Sequence, residues 1–349
     1  MKRSKLIETL DVIGKPTETW ESSDGTKALV LPHGGRILGL FAPGDDESFF
    51  WTHPALCDAG TARDFYEGKQ WHNSGGERTW LAPEVDFFFP EFPDLKTYWQ
   101  QRELDPGSYE VAKKNGGFSW TNRATLNLSR TKRKVDLEIT KSLTPALNPL
   151  RYDREPADAT VKYAGYTLHG TLQVRSSDPI PQVGMWHLTQ LPHGGDMLVP
   201  TFFRSQPKIY MGTIGREDLV VDDHLVRYKM RSAGEHKLGV RATAVTGRVG
   251  YLYILGDETS LVVRNFGVNP SGEYIDVPWG ETQNFGFAFQ ACNVNSALGA
   301  FSELEYHVPA VGPPEGGSRS EDRSQLWAFR GPEAAVRSIA RRLLAAEIA

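Results

Sequence analysis

The chain has 349 residues, of which 40% are hydrophobic, 11% aromatic and 23% charged. This composition supplies a sizeable core and excludes global disorder. A formal charge of −4, from 43 acidic and 39 basic residues, argues against a nucleic-acid partner, and no apolar run reaches the roughly 18–20 residues that would cross a membrane.

Met1-Lys2-Arg3 is basic at its end, but no long apolar stretch follows, so the segment does not read as a signal peptide and a cytoplasmic location is expected. Ser4 is expected to cap a short helix over about residues 4–13 that stops at Gly14. Beyond it, 34 Gly and 22 Pro punctuate short apolar or alternating runs, the spacing of a β-rich protein. Strands are expected at Ala28–Leu31, Arg36–Phe41, Phe118–Thr121, Ala124–Ser129, Lys134–Thr140, Tyr163–Val174 and Val183–Leu191. Further candidates are Val226–Met230, Tyr251–Leu255, Leu261–Phe266, Phe285–Ala291, Phe301–Val308 and Leu326–Phe329. Lys134–Thr140 is the clearest, with Val135, Leu137 and Ile139 on one face and Asp136, Glu138 and Thr140 on the other. Residues 311–320 read as a Gly/Pro-rich loop. Pro332 marks the start of a C-terminal helix to about residue 348, in which Val336, Ile339, Ala340 and Leu343 share one face. These elements predict one all-β domain over residues 1–349, built of two large packed sheets with short terminal helices. Cys57 and Cys292 are too few for a disulfide scaffold or a four-cysteine zinc site. They read as reduced thiols, with one long-range bridge as the alternative.

Three segments concentrate chemistry. In Trp71-His72-Asn73-Ser74-Gly75-Gly76-Glu77-Arg78-Thr79-Trp80-Leu81-Ala82-Pro83-Glu84-Val85-Asp86, aromatic, cationic and carboxylate groups surround a glycine pair. Glycines allow close backbone approach and positive φ, and sugars suit such a surface: ring faces stack on Trp while hydroxyls bond Arg and carboxylates. The plainer alternative is a turn in which Arg78 pairs with Glu84 or Asp86. In Val183–His193, a strand puts Met185, His187 and Thr189 on one face and Trp186, Leu188 and Gln190 on the other. His187 is either a proton donor or acceptor or a hydrogen-bonded core histidine. In Phe301–Ala310, Glu303, Glu305 and His307 share a face; they either line a polar groove, where neighbouring carboxylates raise one another's pKa, or meet solvent. No His-x-x-x-His pair exists among the nine histidines. No metal is therefore expected, although a set gathered from distant strands, such as His72, His187 and Glu305, stays open.

Taken together, the run Gly75 to Glu84, His236-Lys237-Leu238-Gly239-Val240, and Phe301-Ser302-Glu303-Leu304-Glu305 with Pro309-Ala310 resemble the galactose mutarotase-like (aldose 1-epimerase-like) superfamily, in an uncharacterised branch. The likeness runs over roughly residues 28–345. It implies a twisted β-supersandwich whose concave face binds a mono- or oligosaccharide, with no cofactor. It further implies Glu305 as base, with Glu303 as its rival, and His187 as acid. Arg78 and His72 would orient hydroxyls, Trp80 or Trp186 would stack on the ring, and Glu77, Glu84, Gln190, Lys237 and His307 would complete the contacts. Ser74 precedes the glycine pair where the family's mutarotases carry an earlier histidine. Two alternatives belong to the same fold. A glycoside hydrolase or polysaccharide lyase would set Glu77 or Glu84 opposite Glu303 or Glu305, with Arg78 or Lys237 neutralising charge in the lyase. A non-catalytic carbohydrate-binding domain would keep Trp80, Trp186 and Arg78 and tolerate loss of Glu305.

Overall fold

The computed structural model describes residues 1–114, 117–154, 158–175, 179–313 and 317–345. Two antiparallel sheets dominate it. The nine-stranded sheet runs, in spatial order, Glu18–Glu21, Lys27–Leu31, Arg36–Phe41, Glu77–Ala82, Gly184–Pro192, Gly299–His307, Phe287–Ser296, Gly234–Arg241 and Lys208–Met211. The ten-stranded sheet runs Leu219–Val221, Leu225–Lys229, Asp196–Pro200, Arg248–Leu255, Glu258–Asn265, Arg319–Gly331, Lys162–Val174, Arg133–Pro145, Gly117–Leu128 and Glu110–Lys114.

Alternation sets which side chains meet between the sheets. From the ten-stranded sheet come Tyr166, Leu168 and Leu172 of one strand and Ser324, Leu326 and Ala328 of its neighbour. Their odd-numbered partners Trp327 and Phe329 face outward and are covered by the C-terminal helix Glu333–Leu344 through Val336, Ile339, Ala340 and Leu343. The helical stripe read from the sequence is this packing face, although Pro332 stands at the N-cap; residues 346–349 lie outside the described residues. The N-terminal helix Arg3–Val12 packs Leu6 and Leu10 on Leu29, Leu31 and Leu38, at one end of the nine-stranded sheet's outer face. Ser4 does not cap it: Lys2 holds the N-cap, and the Ser4 hydroxyl donates to Asp46 instead. Gly14 does end it, at φ +70°. A helix not foreseen, Ala59–Glu67, is capped by Asp58 and packs Ala62 into the same cluster. In the expected loop at 311–320, residues 314–316 lie outside the described residues, and Arg319 already begins a 13-residue strand.

The inter-sheet layer also contains charge. Glu77, on the nine-stranded sheet, pairs with Arg264 of the ten-stranded sheet and accepts from the Tyr166 hydroxyl. Arg264 also donates to Thr189 at 2.9 Å. All four are at most 1% exposed. Desolvating both ions is costly, and their attraction offsets that cost only while the pair stays intact. Arg264→Met leaves a buried, unpaired carboxylate and is expected to lower stability by about 3–5 kcal/mol. In urea melts, the double variant Arg264→Met/Glu77→Leu should recover most of that loss; a double variant no more stable than the single one would refute the pairing argument.

Candidate functional site

The uncovered part of the nine-stranded sheet's outer face forms a groove with a cavity of about 370 Å³, within the size range of small-molecule sites. Its floor comes from strand residues of one parity: Arg78 and Trp80, Trp186, Phe301 and Glu303, Cys292 and Val294, Glu235 and Lys237. Its walls come from Glu84, at the start of the short helix Glu84–Phe87, and from irregular segments carrying Phe89, Leu95, Tyr98, Gln100 and Trp279.

The glycine pair makes this floor possible. Gly75 and Gly76 adopt φ +96° and +73°. A Cβ would come within 2.5 Å of the Trp51 carbonyl at Gly75 and within 2.2 Å of the Ile37 carbonyl at Gly76. Only glycine allows that approach, after which Glu77–Ala82 enters the sheet between Arg36–Phe41 and Gly184–Pro192.

Arg78 meets Glu303 at 2.9 Å, and Gln190 donates to the same Glu303 oxygen at 2.9 Å. The guanidinium lies 4.0 Å from the Trp80 ring and 5.1 Å from the Trp71 ring. Both indole N–H groups donate to Asp105 at 3.0 Å, as does Arg36. Arg78 thus pairs across the sheet, while Asp86 takes Arg130, so neither local pairing weighed from the sequence forms.

Lys237 is the second centre. Its ammonium lies 3.2 Å from Glu305, 3.6 Å from Glu84 and 4.3 Å from the Trp186 ring. Trp186 donates to Glu305 at 2.8 Å. Glu84 accepts from Tyr98 at 2.7 Å and Trp279 at 2.8 Å. Asp276 joins the cluster by accepting from the Glu84 backbone N–H at 2.7 Å and from Gln290 at 2.6 Å. Three buried carboxyls around one ammonium cannot all ionise cheaply. Burial, opposed by Lys237 and reinforced by Glu303 and Glu84, pushes Glu305 up to about 8. Burial likewise raises Glu84 and Asp276. For Lys237, burial favours the neutral amine, but Glu305, Glu84 and Asp276 outweigh it and raise its pKa.

Several expected residues lie elsewhere. His187 is on the opposite face of its strand, between the sheets, with Nδ1 3.0 Å from Thr79 and Nε2 3.7 Å from Asp322. Burial, then Lys141, lowers its pKa well below the ordinary range. A strand cannot present both Trp186 and His187 to one groove, and Trp186 holds the groove face. Glu77 is on that inner face for the same reason. His72 lies outside the cavity, with its Nδ1 3.3 Å from His33, so His72, His187 and Glu305 form no common ligand set. Glu305 is fully buried behind the cavity, whereas Glu303 lines it. Gln190 sits behind Glu303. His307 stacks on Trp186 at 5.6 Å, and among the described residues neither of its ring nitrogens has a hydrogen-bond partner. Trp80 and Trp186, 3% and 2% exposed, form the floor, while the half-buried Trp71 and Trp279 stand free enough to meet a ring. Trp71, Tyr98, Asp276, Trp279 and Cys292 are the site residues the sequence reading missed as members. Cys57 and Cys292 are both free thiols, the first exposed and the second buried in the groove. Cys292, Glu303 and Glu305 offer ligand atoms within 4.8 Å of one another. The cations already paired with both carboxylates, Arg78 and Lys237, supply the counter-charge a metal would bring.

The model of a family of unknown function (DUF6786) matches residues 17–349. The chain belongs to this family. A search of curated proteins finds no match. Among solved structures, the galactose mutarotase related enzyme from Lactobacillus acidophilus is 10% identical, covering 89% of this chain and 96% of that one with a TM-score of 0.47. The Slr1438 protein from Synechocystis sp. PCC 6803 is 11% identical over 91% and 96%, with a TM-score of 0.48. Galactose 1-epimerase from Lactobacillus acidophilus NCFM is 9% identical over 90% and 93%, with a TM-score of 0.37. The two large antiparallel sheets with short terminal helices are the all-β architecture expected from the sequence. None of these likenesses bears on the chemistry of the groove.

The Glu305 shift links stability to pH. A carboxyl raised from 4.5 to about 8 keeps its proton in the folded state after the unfolded chain has lost it. Stability therefore falls as pH rises from about 4.5 through about 8. Glu305→Gln stays neutral throughout, so its urea-melt stability should change less between pH 5 and 8.5 than that of the wild type. Parallel curves for the two proteins would refute the assignment.

Proposed function

We propose that this chain is a carbohydrate-processing enzyme that works by acid/base chemistry at the anomeric centre of a sugar, in the manner of an aldose 1-epimerase. One observation carries the reading: Glu303 and Lys237 line one sugar-sized cavity between Trp71 and Trp279, with Glu305 3.2 Å behind the ammonium and raised to about 8. A pyranose ring lies against the half-buried indoles. Glu303 takes the proton of the anomeric hydroxyl. Lys237 donates to the ring oxygen while the protonated Glu305 refills it, so the ammonium charge is not lost. The bond between the anomeric carbon and the ring oxygen breaks, and a carbonyl forms at that carbon. Rotation by half a turn and the reverse proton transfers close the other anomer. No proton is gained or lost overall; Glu303, the rival base, and Lys237 take the roles that the resemblance implied for Glu305 and His187. Arg78, held between Trp71 and Trp80, keeps Glu303 in place.

A second reading has its own support. Glu84 also lines the cavity, and burial raises its pKa. A protonated Glu84 facing Glu303 would serve glycosidic bond cleavage, as acid and base or acid and nucleophile.

The test is proton NMR on freshly dissolved anomers of a panel of aldoses. Wild type should accelerate anomer exchange, and Glu303→Gln should slow it by roughly 10²–10⁴-fold with an unchanged circular dichroism spectrum. The rate should also decline above pH 8, where Glu305 loses its proton. No acceleration with any aldose, together with reducing ends released from oligosaccharides and lost in Glu84→Gln, would replace epimerisation by cleavage. Saturable binding without turnover of either kind would reduce the protein to a carbohydrate binder.

A further inference from the structure

The segment Tyr98-Trp99-Gln100-Gln101 is a wall with two faces. Tyr98 and Gln100 line the groove. Trp99 and Gln101 line a second cavity of about 540 Å³, closed on its far side by the hairpin turn that joins Gly117–Leu128 to Arg133–Pro145. Gln101 bolts wall to hairpin: its amide donates to the carbonyls of Phe87 and Asn127 at 3.0 Å each and accepts from the Asn127 N–H at 2.7 Å. The space is therefore built between fixed elements.

Its charge is one-sided. Arg102, Lys132 and Arg133 line it against the single carboxylate of Glu103. Arg102 donates to the carbonyl of Lys69, Lys132 to that of Pro90 and Arg133 to that of Pro179. Among the described residues none of the three has an ion-pair partner. Nearby cations do: Arg130 pairs with Asp86, and Arg123 and Arg175 with Glu138. Lys132 occupies φ +56° at the turn, a region that glycine or asparagine enters more easily. Beside these cations Trp99 is 44% exposed, with the Arg102 guanidinium 5.1 Å from its ring. A flat apolar ring next to unneutralised donors matches a ligand with an apolar ring face and a negative group.

We propose that this cavity binds an anionic sugar, either a uronate or a sugar phosphate, at a site separate from the groove. The ring face lies on Trp99, and the carboxylate or phosphate takes charge-assisted hydrogen bonds from Arg102, Lys132 and Arg133. The proposal does not rest on the groove's chemistry, and an absence of anomer exchange leaves it standing.

Titration calorimetry on the full chain tests it with galacturonate, glucose 6-phosphate, glucose and inorganic phosphate. At least one of the two acidic sugars should bind, at least tenfold more tightly than glucose, and added salt should weaken it. Galacturonate alone would mark a carboxylate reader, glucose 6-phosphate alone a phosphate reader. Arg102→Gln/Lys132→Gln should lower the affinity tenfold or more, Trp99→Leu should lower it as well, and Glu303→Gln should leave it intact. No binding by either acidic sugar overturns the proposal. So does binding that survives the double variant, or that is lost in Glu303→Gln. Inorganic phosphate bound as tightly as the sugars would overturn the role of Trp99.

Discussion

Glu77 and Arg264 meet between the sheets, and the geometry of the groove follows from that meeting. An ion pair with no solvent access tolerates little displacement, because a small separation leaves two desolvated charges uncompensated. It fixes the strand Glu77–Ala82 against the ten-stranded sheet. One residue later the pleat turns the chain over, and Arg78 emerges on the opposite face against Glu303. Adjacent residues therefore do unlike work: one holds the sheets together, the next sets the floor of the groove. The same division recurs at His187 and Trp186, and at Tyr306, which bonds Asp322 and Ser324 across the core, beside Glu305.

The groove holds its charges in two linked sets. Arg78, Glu303 and Gln190 form one, and Lys237 with Glu305, Glu84 and Asp276 forms the other. The first is balanced as a single ion pair. The second has more carboxyls than cations, so it retains a proton near neutral pH. Acidic and basic groups in one small space become useful when their surroundings push their proton affinities apart. Here burial provides that separation, and for Glu305 the neighbouring carboxylates Glu303 and Glu84 reinforce it.

Much of this was legible in the sequence wherever periodicity carries the information. Alternation put Glu303, Glu305 and His307 on one face, and the stripe Val336, Ile339, Ala340 and Leu343 gave the face by which the last helix packs. The adjacent glycines announced a close backbone approach, although not what they approach. Alternation also separated Trp186 from His187; the resemblance, which asked for both, obscured it. Other elements carried no such signal. Glu77–Ala82 is buried at every position, so it shows no two-residue period, and its polar residues left a binding surface and a turn both open. Ser4 looks like a cap, but its partner Asp46 lies 42 residues away. The helix Ala59–Glu67 covers only part of the sheet's outer face and has one fully buried residue, too few to print a stripe. Tyr98, Asp276 and Trp279 lie on irregular segments, and their places depend on Glu84, distant in sequence from the latter two.

The stretch from Phe88 to Gly107 explains why the walls were the hardest part to foresee. It contains almost no regular structure, yet it is not loosely attached. Asp105 receives Arg36, Trp71 and Trp80, Tyr98 reaches Glu84, and Gln101 grips the hairpin at Asn127. Each anchor is a side chain bonded to a distant element, so the segment's shape is tertiary in origin and has no local pattern to display. Alternate side chains along Tyr98–Gln101 then serve two cavities at once. The two cavities it separates are opposite in charge: carboxyl-rich in the groove, cationic beyond the wall.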